Sequence, residues 1–357
     1  MAYEYLNTRL RYLKSRLLGP SEFGTYLDMD DFDEFTAALA ETDYADELER
    51  ASVEHTGYNM VEQAIVAHTQ RVFQKLHNIA FDEPKQLIGL MLERFEVFNL
   101  KTIFRGFHAG TDANTIRESL FPTILYPTSF YETLLDREGI DAIIDELLTV
   151  GNRYYRPLSD AYADYESSGQ LAMLELALDH HYFAGSQAML DQLDSANAEA
   201  MRHMLGTEVD ILNLVYAMRV LDTTVDTTER DRYVLRGGEH LDEARVRSLL
   251  DSPDRASFIR AVEETPYGRR LASLDESIDA NEFQEQLENL LYREMTHLAP
   301  GQFFDIGLAA TYIWRINAEA INLRVIAGGL YRRASRAEIE RRLIKVPGMI
   351  PEEVASA

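Results

Sequence analysis

Apolar residues along this chain recur three and four positions apart over long stretches, as at Leu87, Met91, Phe95 and Phe98. That spacing lays them along one side of a 3.6-residue helix. Alternating Val/Ile/Thr runs are scarce, and no Asn-Gly pair is present to turn a hairpin. Helix starts are marked as well: Ser335-Arg-Ala-Glu338 and Asn281-Glu-Phe-Gln284 both have the form of a capping box. The pattern predicts an all-α protein with little or no sheet.

Within this helical pattern one phrase is written three times. "EVFNL" fills 96–100, "DILNL" fills 210–214 and "EAINL" fills 319–323, each an acid, two spacers, then Asn-Leu. The asparagines lie 114 and then 109 residues apart (99 to 213 to 322). A second landmark keeps the same phase. "DFDEFTAALAETDYADEL" (31–48), "DAIIDELLTVGNRYYRPL" (141–158) and "DRASFIRAVEETPYGRRL" (254–271) share their first Asp, a tyrosine (Tyr44, Tyr154, Tyr267) and the closing Leu. Thr42 and Thr265 agree two places before the tyrosine, where the middle copy has Asn152. Two landmarks in constant phase read as a divergent triplication of units of domain size. The middle copy is the most degenerate. The domains expected are 1–110, 111–222 and 223–334, followed by a C-terminal helix and tail, 335–357.

On a helix, Asn99, Asn213 and Asn322 fall on or beside the apolar stripe, and Glu96, Asp210 and Glu319, three positions earlier, share that face. Leu100, Leu214 and Leu323 complete the phrase. A buried amide without partners costs ~1–3 kcal/mol, so each asparagine is expected to be hydrogen-bonded. The pair could hold a ligand or ion, or could clamp the backbone of a neighbouring helix end. Triplicated features usually track fold, so the structural clamp is the favoured reading. Arg105 and Arg219 follow the first two asparagines by six residues, but Gly328 stands there in the third copy. The arginine is therefore no part of a common joint.

Composition narrows the function. The chain has no cysteine, which excludes disulfides, thiol catalysis and thiolate metal sites. Its N-terminus lacks the apolar core of a signal peptide. The longest apolar-rich stretch, "FFDIGLAATYIW" (303–314), contains Asp305 and is too short to span a bilayer. A soluble, intracellular chain is expected. The net charge of −25 argues against general affinity for nucleic acid or anionic lipid. The basic residues are almost all arginine, which together with the acidity suggests a salt-rich cytoplasm, an ordinary acidic protein from an Arg-biased genome being the alternative.

Enzyme signatures are missing. There is no Gly-Lys pair for a phosphate-binding loop and no GxSxG elbow. The "RGG" at 236–238 and "AGG" at 327–329 read as helix-end or turn glycines. Glu294-Met-Thr-His297 is a single Glu-x-x-His spacing where a di-metal bundle needs two. His180 and His181 diverge by about 100° on a helix and would not chelate one metal. No catalytic, cofactor-binding or metal-ligating set emerges, and no cofactor and no small-molecule substrate are expected.

The ordered set "YLNTRLRYLKSRLL" (5–18), "DFDEFTAALAETDYADEL" (31–48), "RFEVFNLKTIFRG" (94–106), "EVDILNLVYAMR" (208–219) and "YIWRINAEAINLRVIAGG" (312–329) resembles the C subunit of archaeal A-type ATP synthases and bacterial V/A-type ATPases, homologous to the eukaryotic V-ATPase d subunit. The likeness covers about 5–345, and the acidic, lysine-poor composition suits a haloarchaeal member. The resemblance implies three similar helical-bundle domains in pseudo-threefold arrangement, forming a funnel. It implies a non-catalytic central-rotor component, one copy per complex, on the cytoplasmic face of the cell membrane. Its partners would be the central-shaft D and F subunits and the membrane rotor ring of proteolipid c/K subunits, with proton or sodium transport as the coupled process. A generic α-helical repeat scaffold for another elongated helical partner is the alternative. The segment "YRRASRAEIERRLIKV" (331–346) reverses the local charge through Arg332, Arg333, Arg336, Arg341 and Arg342. These five are a candidate partner interface, weighed against an ordinary basic helix end. The tail after Val346 has no counterpart in the resemblance.

Overall fold

A computed structural model describes residues 2–223, 225–271, 274–296 and 306–355. Among the described residues the chain is all-α and holds no β-strand, only an isolated bridge between Pro347 and Ile350. The helices are α1 (Ala2–Lys14), α2 (Pro20–Leu27), α3 (Phe32–Leu39), α4 (Ala45–Ala51), α5 (Gly57–Ile79), α6 (Asp82–Ala109), α7 (Ala113–Glu118), α8 (Thr128–Leu135) and α9 (Ile140–Thr149). There follow α10 (Tyr155–Ser168), α11 (Ala172–Leu190), α12 (Ala196–Leu221), α13 (Glu243–Leu250), α14 (Arg255–Glu263), α15 (Ala280–Thr296), α16 (Gly307–Tyr331), α17 (Arg336–Arg341) and α18 (Glu352–Ala355). Two 3₁₀ turns, Arg230–Tyr233 and Gly268–Arg270, interrupt the later loops.

The chain divides into two compact units, one of Met1–Leu92, Pro122–Ile124 and Tyr292–Ala357, the other of Glu93–Phe121 and Leu125–Leu291. In the first, α16 is the centre: α1, α3, α5 and α17 all pack against it. Almost every side of α16 is buried, from Ala309 to Leu330, as a helix wrapped by others requires. The tail is part of this core, since Val346, Met349 and Ile350 are fully buried. In the second unit α12 holds the corresponding central place, contacting α11, α13 and α14.

The three landmark tyrosines sit in one local frame. Asp31 and Asp254 are N-caps, accepting backbone N–H bonds at the starts of α3 and α14. The middle copy differs because α9 begins two residues earlier, after Gly139, which puts Asp141 inside the first turn. Thr42 and Thr265 then donate to the carbonyls of Leu39 and Val262, both at 2.6 Å, and tighten the turn before the tyrosine. Asn152 does related work by accepting from the Tyr154 amide at 2.8 Å.

Two sequence expectations need correction. Asn281 does not open a capping box. It lies inside α15, and Asp279 caps the helix by accepting from the Asn281 and Glu282 amides. Ser335 and Glu338 do form the reciprocal box at α17. Phe98, placed on the apolar stripe of α6, is 40% exposed, because its ring packs edge-on against Phe121 at the rim.

Candidate functional site

The three asparagines make the same pair of bonds. Asn99 donates its Nδ2 to the Phe121 carbonyl at 2.8 Å and accepts the Phe121 amide at 2.7 Å. Asn213 treats Leu235 in the same way, at 2.9 and 2.8 Å. Asn322 holds Ile344 at 3.0 and 2.7 Å. The grasped residue is 22 positions further along in every copy. A side-chain amide presents an NH2 donor beside a carbonyl acceptor, so it pairs with both backbone groups of one residue, as a neighbouring strand would. Both polar ends of each amide are thereby occupied by backbone. Each asparagine is fully buried, as are Leu100, Leu214 and Leu323 beside it.

What lies between clamp and grasped residue is also repeated. The long helix ends, the chain turns, a short helical segment runs back, and the asparagine catches its end. The segments are α7, the 3₁₀ turn Arg230–Tyr233 and α17. In the first and third copies the turn-back is close. Gly106 and Gly329, each seven residues after its asparagine, would put a Cβ within 3.0 Å of Ile116 and Ile339, each seventeen after. The middle copy has Val220 and Arg230 at those places and a 3₁₀ turn in place of the α-helix. The Gly/Ile pair was present in the sequence at constant phase, but a glycine and an isoleucine ten residues apart carry no signal until the turn brings them together. Gly329 therefore serves close packing within α16, and Gly237, at φ 89, is a turn glycine.

The acids hold a second set of bonds. Asp210 accepts from the His240 and Leu241 amides, the former at 2.6 Å, and from Tyr267 Oη at 2.7 Å. Glu319 accepts from the Leu18 amide at 2.7 Å and from Tyr44 Oη at 2.9 Å. Glu96 accepts from Tyr131 Oη, and from Asn152 at 3.4 Å. Tyr154 lands one helical turn earlier, donating to Glu93 at 2.6 Å. So each landmark tyrosine docks on the asparagine helix that precedes it, and Tyr44, which has none before it, docks on α16 near the far end of the chain. Burial pushes Glu96 and Glu319 up to about 7 and Asp210 up to about 6, against the pull of these donors. The tyrosines are raised as well, by burial first and the neighbouring carboxylate second.

Gly238 lies against this site: a Cβ there would come within 3.0 Å of both Asp210 Oδ1 and the Leu241 carbonyl. Gly238→Ala is expected to lower stability by about 2–3 kcal/mol, because the displaced carboxylate is fully buried and has nowhere to go. Urea melts of the variant check this; a loss below about 0.5 kcal/mol would show that the loop yields without cost.

The remaining candidates fall elsewhere. Arg105 pairs with buried Glu175, and Arg219 reaches the same carboxylate at 3.6 Å and Gln284 at 2.6 Å. His180 bonds the Arg232 carbonyl at 2.9 Å and the His181 ring lies 5.3 Å from that of Tyr154. No metal-holding group of His, Asp or Glu occurs among the described residues. His297, and 303–305 of the apolar-rich stretch, lie outside the described residues. No described helix is long and apolar enough to cross a membrane.

A recurrent clamp built from backbone and buried acids is scaffold, and comparison identifies the scaffold. Residues 6–342 match the family model described as ATP synthase (C/AC39) subunit. The chain belongs to that family. It is 27% identical over 342 residues to the C subunit of the A-type ATP synthase of Haloquadratum walsbyi, covering 95% of this chain and 97% of the relative. The same component from Halobacterium salinarum is 25% identical over 350 residues, covering 96% and 97%. That of Archaeoglobus fulgidus is 27% identical over 343 residues, covering 96% of each. Haloarchaeal relatives accord with the acidic, lysine-poor composition. C/AC39 chains are structural rather than catalytic parts of their ATP synthase, a membrane-associated complex.

Proposed function

We propose that this chain is the central-rotor C subunit of an A-type ATP synthase. It would couple the D and F subunits of the shaft to the proteolipid ring at the cytoplasmic face of the membrane. Its three repeated lobes would surround an axial recess that grips the shaft, and one copy would turn with each rotor. The observation that carries the reading is the cyclic order of the tyrosine docking. Asp210 takes the tyrosine of the next copy, the α6 turn at Glu93 does likewise, and the last acid, Glu319, takes Tyr44 of the first. Each copy's tyrosine is thus held by an acid on another copy's asparagine helix, a cross-tying of the repeats that supports a mechanical role. Buried clamps at each joint would give the stiffness that transmitted torque requires.

Tagged chain purified from its own membranes is expected to bring down shaft and ring proteins in fixed proportion. Cells lacking it should hold catalytic heads that hydrolyse ATP without moving ions. Coupled ion transport in its absence would end the rotor reading.

A further inference from the structure

The three turn-back segments differ in how their basic residues are met. The first carries Arg117, whose guanidinium is forked onto Glu132 at 2.8 and 2.6 Å. In the second, Arg230 pairs with Asp251 at 3.0 Å and Arg232 with Asp164 at 2.7 Å. Their basic residues are neutralised within the chain. The third segment carries five arginines. Arg336 is paired with Asp28 and Glu340. Arg332, Arg333, Arg341 and Arg342 are exposed, and among the described residues none of them forms an ion pair.

Arg333 has a further peculiarity. Its backbone is left-handed, at φ 57. The corresponding residue of the first copy, also eleven after the asparagine, is Gly110 at φ 68. The surrounding bonds coincide: Thr111 donates to the Gly106 carbonyl and Ala334 to the Gly329 carbonyl, both at 2.9 Å. This is a glycine position in a helix-ending turn. A Cβ there is disfavoured, and the side chain that carries it makes no bond among the described residues.

We propose that this third segment is a docking surface for a carboxylate-rich protein surface of the same synthase, with Arg332, Arg333, Arg341 and Arg342 as its contacts. The inference deepens the rotor reading and rests on it. Guanidinium forks fit carboxylates in pairs and keep their charge at any pH. The unit that bears them is the less acidic, with 17 Lys and Arg against 23 Asp and Glu, while the other has 18 against 37. An acidic partner is thus repelled least by this unit. A lipid surface fits less well, because Glu338 and Glu340 interleave with the arginines and the whole chain is at −25.

The test is reassembly of the full chain with synthase stripped of it. R341E/R342E is expected to bind about tenfold more weakly at low salt, with the difference shrinking as salt rises. R333G should melt at or above the wild-type temperature, since it relieves the left-handed residue, and yet bind more weakly. A purely structural arginine would not separate those two readouts. Wild-type affinity in both variants overturns the docking surface and leaves the rotor reading standing. Failure of the wild-type chain itself to bind overturns both. Loss of binding to anionic phosphatidylglycerol vesicles in R341E/R342E, with reassembly unchanged, reassigns the surface to lipid and overturns the proposal.

Discussion

Asn213→Ala is expected to cost about 3–5 kcal/mol of stability, near the top of the range for single substitutions. The loss is larger than two ordinary hydrogen bonds because of what is left behind. Leu235 is 2% exposed, so its amide and carbonyl would both stay buried without partners, at about 1–3 kcal/mol each. Asn213→Asp should rescue little: it restores an acceptor for the Leu235 amide but sets a second oxygen against the Leu235 carbonyl. Asn99→Ala should be milder, about 1–3 kcal/mol, since the Phe121 bonds lie at a half-buried site that water can enter. Urea unfolding of the three variants would test the order. A loss under about 1 kcal/mol at Asn213 would mean that the clamp does not hold the segment.

Thermal stability is expected to fall as pH rises from about 5 to 8. Glu96 and Glu319 have carboxyls raised by burial from the ordinary 4.5 to about 7, so the folded chain binds these protons more tightly than the unfolded chain does. Their contribution is present below the unfolded value and is lost as pH climbs through the folded one, on the order of 3 kcal/mol for each group. Asp210, raised to about 6, adds a smaller share in the same direction. Glu47 works with the opposite sign. Burial pushes it up, but bonds from His68 and Arg71 outweigh that and hold it at about 2, so its stabilisation fades only on acidification below the usual carboxylate range. The two windows do not overlap. Glu96→Gln with Glu319→Gln should flatten the slope between about pH 5 and 8, whatever it does to the absolute melting temperature. An unchanged slope would place the titration elsewhere.

The helical class, the thrice-written phrase and the burial of its asparagines and acids were legible in the chain, because helical period and repeat phase are properties of residue spacing. So was the capping box at Ser335, a contact spanning three residues. Asn281 misled because Asp279, two places earlier, is an equally good cap and nothing local chooses between them. The tail after Val346 had no reading in sequence, since its apolar residues are too few and irregular to show a period, yet Met349 and Ile350 are core. The arginines of the third segment stood out in composition. That Arg332, Arg333, Arg341 and Arg342 form no ion pair among the described residues did not, because Arg117, equally basic in sequence, is neutralised by Glu132.

Spacing along the chain told which residues would be buried together on one helix face, and that a polar amide placed there must find partners. It was silent on which partners. Each asparagine catches a residue 22 positions on with no motif of its own, and Glu319 meets a tyrosine 275 positions away. Such bonds are made to backbone groups, which are alike at every residue, so only the path of the folded chain selects among them.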